Sequence, residues 1–340
     1  MKRQTGVRQF VLDHVGERPK DIARLVAERF AITRQAANRH LARLVDEGVL
    51  EAKGQTRNRV YRLVVLGQVD RGLPVTPDLQ EDVLWRENVQ PLLSGALENV
   101  LDICNYGFTE MVNNVKDHSG SPSVTIQARV TAATVEMNVL DQGVGIFRKI
   151  KDALGLEDER HAILELAKGK LTTDPSRHTG EGIFFTSRMF DWFGIGSGRI
   201  ALIHRREEED FLIEDRAERR GTRVEMAIQT RSQHTAKEVF DRYATEQDDF
   251  AFRSTHVVVA LAEAKGDKLI SRSQAKRILS RLERFREVIL DFKGIGSIGP
   301  AFADEIFRVF RSHSPSVRLI PVNTSEEVLR MVRRAEASRP

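Results

Sequence analysis

The stretch GFTEMVNNVKDHS, from Gly107 to Ser119, constrains the fold more than any other part of the sequence. It contains no proline, so we predict that it is helical. One face of this helix is apolar and consists of Met111, Val112 and Val115. A second face is polar, because Glu110, Asn114 and Asp117 are spaced i, i+4 and i+7. A helix that packs on a sheet with one face and lines a cleft with carboxylate and amide groups suits Mg²⁺ and phosphate.

Length and composition indicate a multidomain protein that does not span a membrane. The 340 residues suggest about two or three domains, and 41% hydrophobic with 30% charged residues is ordinary for a globular protein. The sequence has no apolar run of about 18 residues, and its start, MKRQTGVRQF, lacks the apolar core of a secretion signal. We expect the single cysteine, Cys104, to be buried and apolar in character. A cytoplasmic protein is therefore expected.

Positive charge is concentrated at the N-terminus. Residues 1–63 contain 14 Lys and Arg against 7 Asp and Glu, a net charge of +7, which leaves −3 for the rest of a chain whose total is +4. The same segment predicts helices at Val7–Val15 and Lys20–Phe30, and a third helix that Thr33 caps. Two strands then flank a polar turn at Gly54–Asn58. Such a basic segment indicates contact with nucleic acid.

This order of elements resembles winged helix-turn-helix DNA-binding domains, and we assign residues 1–66 to such a domain. In that family the third helix enters the major groove, and the turn between the strands, called the wing, meets phosphates or the minor groove. The implied recognition residues are Arg34, Gln35, Asn38 and Arg39, and the implied wing residues are Thr56, Arg57 and Arg59. Double-stranded DNA is the expected partner. The alternative is a winged helix that contacts protein, with solvated arginines.

The central part of the chain predicts helices and antiparallel strands. We interpret residues 67–88 as a linker, because LGQVDRGLPVTPDLQED contains two prolines, two glycines and no clear periodicity. Residues 89–230 predict a helix that runs into the opening stretch, two antiparallel strands (SVTIQARV and ATVEMNVLD), a long variable stretch at Phe147–Thr179, a glycine turn that opens a helix at TGEGIFF, a hairpin, and a last strand, GTRVEMAI.

The motifs of residues 89–230, taken in order, resemble the GHKL ATPase family, which includes the B subunit of DNA gyrase, heat-shock chaperones, mismatch-repair MutL proteins, and histidine and anti-sigma-factor kinases. The first box, E-x-x-x-N, is matched by Glu110 and Asn114, the second, D-x-G-x-G, by Asp141, Gly143 and Gly145, the third by Gly180 and Gly182, and a late Gly-Thr by Gly221 and Thr222. The resemblance implies an α/β sandwich, with a mixed, mostly antiparallel sheet and helices on one face. It also implies ATP and Mg²⁺ as cofactors.

The resemblance also implies roles for individual residues. Asn114 would hold Mg²⁺, and Glu110 would position or deprotonate the attacking nucleophile. Asp141 would accept a hydrogen bond from the adenine amino group, next to glycines that let the backbone approach the ring. The full cofactor-binding set is Asn114, Asp117, His118, Asp141, Gly143, Gly145, Gly180, Gly182 and Thr222. Phe147–Thr179 would form the ATP lid, from which Arg177 or His178 could reach phosphates.

Hydrolysis of ATP stays open at this point, because histidine kinases and water-activating ATPases share similar boxes. No pair of helices with a histidine phosphoacceptor precedes the boxes; the basic N-terminal segment stands there instead. This arrangement argues against an ordinary sensor kinase.

The C-terminal part alternates strands and helices. We interpret residues 231–250 as a connecting helix, and residues 251–340 resemble STAS domains, the fold of anti-anti-sigma factors, and more closely a STAS-like domain of unknown function. STAS phosphoacceptor domains carry a serine before the helix that follows their central strand, whereas Gly299 and Pro300 stand at that point here. Ser297 lies earlier, and we expect its hydroxyl to form a loop hydrogen bond. We expect this domain to mediate protein contacts.

Three functions fit these patterns. The first is a regulator in which Mg-ATP controls DNA binding by the winged helix. The second is an ATPase or anti-sigma-type protein kinase whose winged helix docks a partner. The third is a nucleotide-dependent scaffold without hydrolysis. Homodimer formation fits the two N-terminal resemblances, because winged helices and GHKL domains often pair.

Overall fold

The computed structural model describes residues 2–55, 58–169, 181–206, 210–243, 254–262 and 269–337. The predicted site residues Thr56, Arg57 and Gly180, as well as Arg177 and His178, lie outside these ranges. The helices are α1 (Lys2–His14), α2 (Ile22–Phe30), α3 (Arg34–Asp46), α4 (Glu81–Leu84), α5 (Glu98–Asn114), α6 (Ile146–Leu154), α7 (Glu159–Lys168), α8 (Gly182–Met189), α9 (Ala236–Tyr243), α10 (Arg272–Leu279), α11 (Pro300–Asp304), α12 (Arg311–His313) and α13 (Glu326–Ala337). The strands are β1 (Leu50–Lys53), β2 (Val60–Leu63), β3 (Val65–Pro74), β4 (Ser123–Thr131), β5 (Thr134–Asp141), β6 (Trp192–Arg205), β7 (Phe211–Gln229), β8 (Ser254–Val258), β9 (Glu287–Asp291) and β10 (Arg318–Val322).

The N-terminal module, residues 2–63, consists of α1–α3 and the antiparallel hairpin of β1 and β2. The Thr33 hydroxyl accepts a hydrogen bond from the Ala36 amide at 3.1 Å, which confirms the predicted cap of the third helix. Buried side chains from all three helices and the hairpin, among them Ile22, Leu41 and Tyr61, form a core of their own. The predicted three helices and strand pair are therefore present.

The predicted linker at residues 67–88 is wrong. β3 pairs with β4 over its whole length, and a single residue, Val64, separates it from β2. Residues 81–93 are helical and contribute Trp85, Val89 and Leu93 to the core. The segment looked like a loop because β3 is an edge strand, where glycine and a terminal proline are tolerated and most side chains are exposed.

The central sheet has the strand order β3-β4-β5-β7-β6, and each neighbouring pair is antiparallel. Alternate residues of β4 and β5 are buried, including Val124, Ile126 and Met137, so one face of the sheet is covered. Helix α5 packs against β5 and β7 on that face through Ile103, Phe108 and other apolar residues. Cys104 is fully buried, as predicted, and burial raises the pKa of its thiol.

Two segments of the central region differ from their predictions. The stretch interpreted as a variable lid contains α6 and α7, and α7 is buried almost throughout. The second strand of the predicted hairpin and the predicted last strand are one strand, β7, which pairs with β6 on one side and with β5 on the other. A register shift at Ser197–Ile200 in β6 accommodates the irregular middle of this long pair.

The C-terminal region, residues 254–337, contains a parallel sheet in the order β10-β9-β8. Ser271 and Gln274 form a capping box at the start of α10. Ser297 is exposed and has no hydrogen bond among the described residues, so the predicted loop hydrogen bond is not present there. The buried side chains of this region and of the central region form one continuous apolar cluster.

The described chain is thus a mixed α/β protein with an antiparallel hairpin, an antiparallel central sheet and a parallel C-terminal sheet. Among the helices in the described ranges, none combines the length and the apolar character that crossing a bilayer requires.

Candidate functional site

Helix α5 carries the first predicted box, and its apolar face and the first two residues of its polar face are arranged as expected. Met111, Val112 and Val115 are buried, whereas Glu110 and Asn114 are half-buried on the polar side. The helix then widens into a π-helical turn over Val115–Ser119. Asp117 lies within this turn, where the pitch is no longer that of an α-helix, and Asp117 is exposed. Regular α-helical spacing through Asp117 was therefore a wrong expectation.

The start of α8 lies directly against Glu110. A Cβ atom built on Gly182 would stand 1.9 Å from Oε2 of Glu110, so the carboxylate occupies the space that a side chain would need. Burial raises the pKa of the Tyr106 phenol, and the charges of Glu110 and Glu181 raise it further. Because Gly182 lies against Glu110, α5 and α8 bring these residues of the first and third boxes together.

The second predicted box packs on the end of the same helix. A Cβ atom on Gly143 would lie 2.0 Å from the carbonyl oxygen of Ser119, so only glycine allows this approach. The same carbonyl accepts a hydrogen bond from the Val144 amide at 3.0 Å. The loop after β5 is thus fixed to the π-helical turn that follows α5.

Asp141 is the buried acid at the end of β5, with 7% of its surface exposed. The Gly143 amide donates to its Oδ1 at 2.7 Å. Burial raises the pKa of Asp141, and hydrogen bonds from Gly143 and Thr222 offset part of that rise. The Thr222 hydroxyl also accepts from the Ile146 amide at 3.1 Å, one residue after Gly145. The late Gly-Thr therefore adjoins the second box.

Two residues near the boxes escaped the sequence reasoning. The ammonium of Lys149 on α6 donates to the carbonyl oxygen of His118 at 2.6 Å, so α6 places a positive charge at the end of α5. Glu181 directly precedes Gly182, which lies against Glu110, and the charges of Glu181 and Glu110 both act on the Tyr106 phenol. Glu181 could have been identified from the sequence, because it lies between the two glycines of the third box. Lys149 could not, because its hydrogen bond to His118 depends on tertiary structure.

A cavity of about 1260 Å³ opens beside the loop that follows β5. Gly143, Val144 and Gly221 line one side, and Glu110, Asn114 and Asp117 are not among its lining residues. Its charged lining balances five arginines with five acids; these are Arg148, Arg160, Arg199, Arg219, Arg220, Asp152, Asp158, Glu159, Glu214 and Glu218. The cavity therefore adjoins the second box rather than the polar face of α5.

The donor types near Asn114 suit a hard cation. Amide and carboxylate oxygens are the ligands that Mg²⁺ prefers, and it commonly takes others from water and phosphate. Within the described ranges, no group of three or more His, Cys, Asp or Glu side chains is arranged to hold a metal. A metal at Asn114 would therefore need ligands other than such a cluster within the described ranges.

The predicted recognition residues form an exposed surface on α3. Arg34, Gln35, Asn38 and Arg39 are all exposed, and the two arginines form no ion pair with any residue that the structure describes. In the hairpin, the Arg59 guanidinium lies over the Tyr61 ring at 5.5 Å. This surface therefore presents positive charge and side-chain hydrogen-bond donors to solvent.

One family comparison gave a match. Residues 274–329 match the family described as a STAS-like domain of unknown function, DUF4325. The match covers α10 to β10 and the start of α13, and it confirms the STAS-like prediction for this part of the C-terminal region. Neither the curated proteins nor the solved structures gave a match.

Proposed function

We propose that the chain is a DNA-binding regulator in which Mg-ATP, bound at a GHKL-type site, controls a winged helix. The observation that carries the proposal is the junction along α5 and the π-helical turn that follows it, where Gly182 lies against Glu110 and Gly143 lies against Ser119. Parts of three motifs that are separated in sequence therefore contact or belong to one helical segment. The match of one motif alone would be weak; their contact with the same helical segment is the stronger support.

The residues at this junction suit separate tasks. Asp141 is a buried acceptor that can recognise an amino group such as that of adenine, and Asn114 offers a neutral oxygen to a cation. Bound Mg-ATP would supply a phosphoanhydride whose charge the metal partly neutralises. Lys149 on α6 adds positive charge near the same helix end. These features favour a nucleotide over an uncharged ligand.

The N-terminal module supports the DNA half of the proposal. Three helices and a hairpin present Arg34 and Arg39 to solvent without ion-pair partners in the described part of the chain. Only Val64 separates β2 of this module from β3 of the central sheet, which offers a short connection between the two. A nucleotide can shift the DNA-binding equilibrium only if it binds two arrangements of the chain with different affinity.

Calorimetry of the full chain with ATP and Mg²⁺, with and without duplex DNA, tests the proposal. We expect binding, loss of binding in Asn114→Ala and Asp141→Asn, and a changed ATP affinity when DNA is present. Asn105→Ala is the matched control, because Asn105 is an exposed residue of the same helix. Equal ATP affinities in the wild type, Asn114→Ala, Asp141→Asn and Asn105→Ala would contradict the proposal.

A second candidate, an ATPase, is favoured by the half-buried carboxylate of Glu110 beside the start of α8. Glu110→Ala separates the candidates. Loss of turnover with retained ATP binding would make Glu110 catalytic, whereas a wild-type chain without turnover would leave the regulator or the scaffold. Labelled ATP offered to the purified chain would show transfer to a residue, which is the outcome a protein kinase requires.

The proposal also includes a protein partner and a homodimer. STAS-like domains often mediate protein interactions, so a protein partner for residues 274–329 belongs to the proposal. Sedimentation of the chain with and without Mg-ATP would test the proposed homodimer.

A further inference from the structure

Helix α7 is unusual because its side chains are buried on every side from Ala162 to Lys168. One side packs against α8 and β6 of the central region. The other packs against β8 and the short helical segment Val259–Ala262 of the C-terminal region. A helix buried all round belongs to a core, so α7 joins the two regions instead of lying on the surface of either.

Lys168, the last residue of α7, is 2% exposed, and its ammonium has three acceptors. It donates to Oε1 of Glu165 at 2.5 Å and to the carbonyl oxygens of Arg277 and Ser280 at 3.0 and 2.9 Å. Those two carbonyls lie at the C-terminus of α10, where a positive charge interacts favourably with the helix dipole. Lys168 therefore caps a helix of the STAS-like domain from outside that domain.

Two further contacts fix the same end of α7, and a third lies just before its start. The Thr255 hydroxyl of β8 donates to the Lys168 carbonyl at 2.7 Å. Arg281, just after α10, pairs with Oε2 of Glu165 at 3.3 Å. At the rim of the interface, Arg277 pairs with Glu157. The end of α7 is thus held by charge and by backbone contacts, both from the C-terminal region.

Packing contacts connect the end of α7 to the candidate site through α8. Gly169 follows Lys168 with φ of +80°, and a Cβ atom there would lie 2.9 Å from Cδ2 of Phe184. Phe184 belongs to α8, whose first residue, Gly182, lies against Glu110. The packed path therefore runs from α10 through Lys168 and Phe184 to Glu110.

We propose that the STAS-like domain acts in cis on the candidate nucleotide site, with Lys168 as the positioning residue that couples α10 to the start of α8. The inference rests on the proposed function of that site. Docking of α10 on Lys168 holds α8 where Gly182 meets Glu110, and loss of the cap releases α8. By linkage, a ligand that fixes α8 strengthens docking of α10 to the same degree.

Hydrogen exchange of the full chain, combined with calorimetry using the non-hydrolysable analogue AMP-PNP and Mg²⁺, tests the coupling. Lys168→Met keeps much of the volume and removes the cap. We expect at least tenfold faster exchange at the end of α10 and at the first turn of α8, with at least tenfold weaker AMP-PNP binding. In the wild type, AMP-PNP should slow exchange in α10. The matched control is Lys276→Met, an exposed lysine of α10 itself.

Faster exchange confined to the C-terminal region, with unchanged exchange in α8 and unchanged affinity, would overturn the proposal. If Lys168 had only a structural role, Lys168→Met would speed hydrogen exchange in β9 and β10 as much as in α10. If Lys168→Met does not fold, Glu165→Gln with Lys168→Met removes both charges together, which buried pairs tolerate better, and the same readouts apply. If the wild type binds no AMP-PNP, the proposed function fails, while exchange in α8 of the variants still decides the coupling.

Discussion

Gly143→Ala should separate the second box from the end of α5. A Cβ atom at this position would stand 2.0 Å from the carbonyl oxygen and 2.7 Å from the carbonyl carbon of Ser119. Contacts below 3.0 Å are not sustained by real Cβ atoms, so the loop must move by at least 1.0 Å against backbone that cannot rotate away. Overpacking of this kind costs about 1–3 kcal/mol, and weakening of the Val144 to Ser119 hydrogen bond adds about 1 kcal/mol.

The total, about 2–4 kcal/mol, can be measured because both tryptophans, Trp85 and Trp192, lie in the central region. Urea unfolding followed by their fluorescence should show a lower midpoint, and calorimetry should show at least tenfold weaker binding of Mg-ATP. Gly95→Ala is the control, since nothing lies within 4 Å of its added Cβ and its φ is not in the left-handed region. Equal midpoints and equal ATP affinities for the two variants would refute the reasoning.

Three further predictions follow from single contacts. Gly182→Ala places a Cβ 1.9 Å from Oε2 of Glu110, which is the end of a flexible side chain that can turn away. The urea midpoint should therefore hardly change, while any ATP turnover should fall about 100-fold because Glu110 is displaced. Unchanged turnover in a rate assay contradicts this prediction. Burial lowers the pKa of His204 more than its hydrogen bond to Asp210 raises it. The free energy of unfolding that His204 contributes should therefore be fully present above about pH 6.5 and be lost as the pH falls below that value. The urea midpoints at pH 7.5 and 5.5 should differ less in His204→Asn than in the wild type. Arg34→Ala and Arg39→Ala should each reduce the slope of log K against log salt for DNA binding by about 1, measured by fluorescence anisotropy; an unchanged slope would place these arginines away from phosphate.

Elements with a strong local signal could be predicted from the sequence. Thr33 caps α3 as expected, because the cap depends only on residues three positions apart. β4 and β5 alternate buried and half-exposed residues, which periodicity alone reveals. The apolar face of α5 is equally local. What local patterns could not reveal was the π-helical turn that contains Asp117, since a change of helical pitch leaves no clear mark on residue spacing.

The edge strand β3 was missed for the opposite reason. Gly67, Gly72 and Pro74 are signals of a loop, and only pairing with β4 makes this segment a strand. Because Val64 alone separates β2 from β3, the consequence extends beyond secondary structure. A loose linker of some twenty residues would let the N-terminal module move independently of the central sheet, whereas a connection of one residue places the hairpin next to the edge strand of that sheet.

Helix α7 is the clearest case in which sequence reasoning had to fail. Glu165 and Lys168 are three residues apart, the spacing of an ordinary solvated pair on a helix surface. Burying such a pair costs free energy that apolar residues of similar volume would not, so stability does not explain it. Apolar side chains, however, would accept several positions of α10 along α7. Lys168 accepts one, because the carbonyls of Arg277 and Ser280 must both lie within reach of a single ammonium. The pair is therefore better explained as a device that sets the position of α10, and through Gly169 and Phe184 the position of α8, than as a contribution to stability.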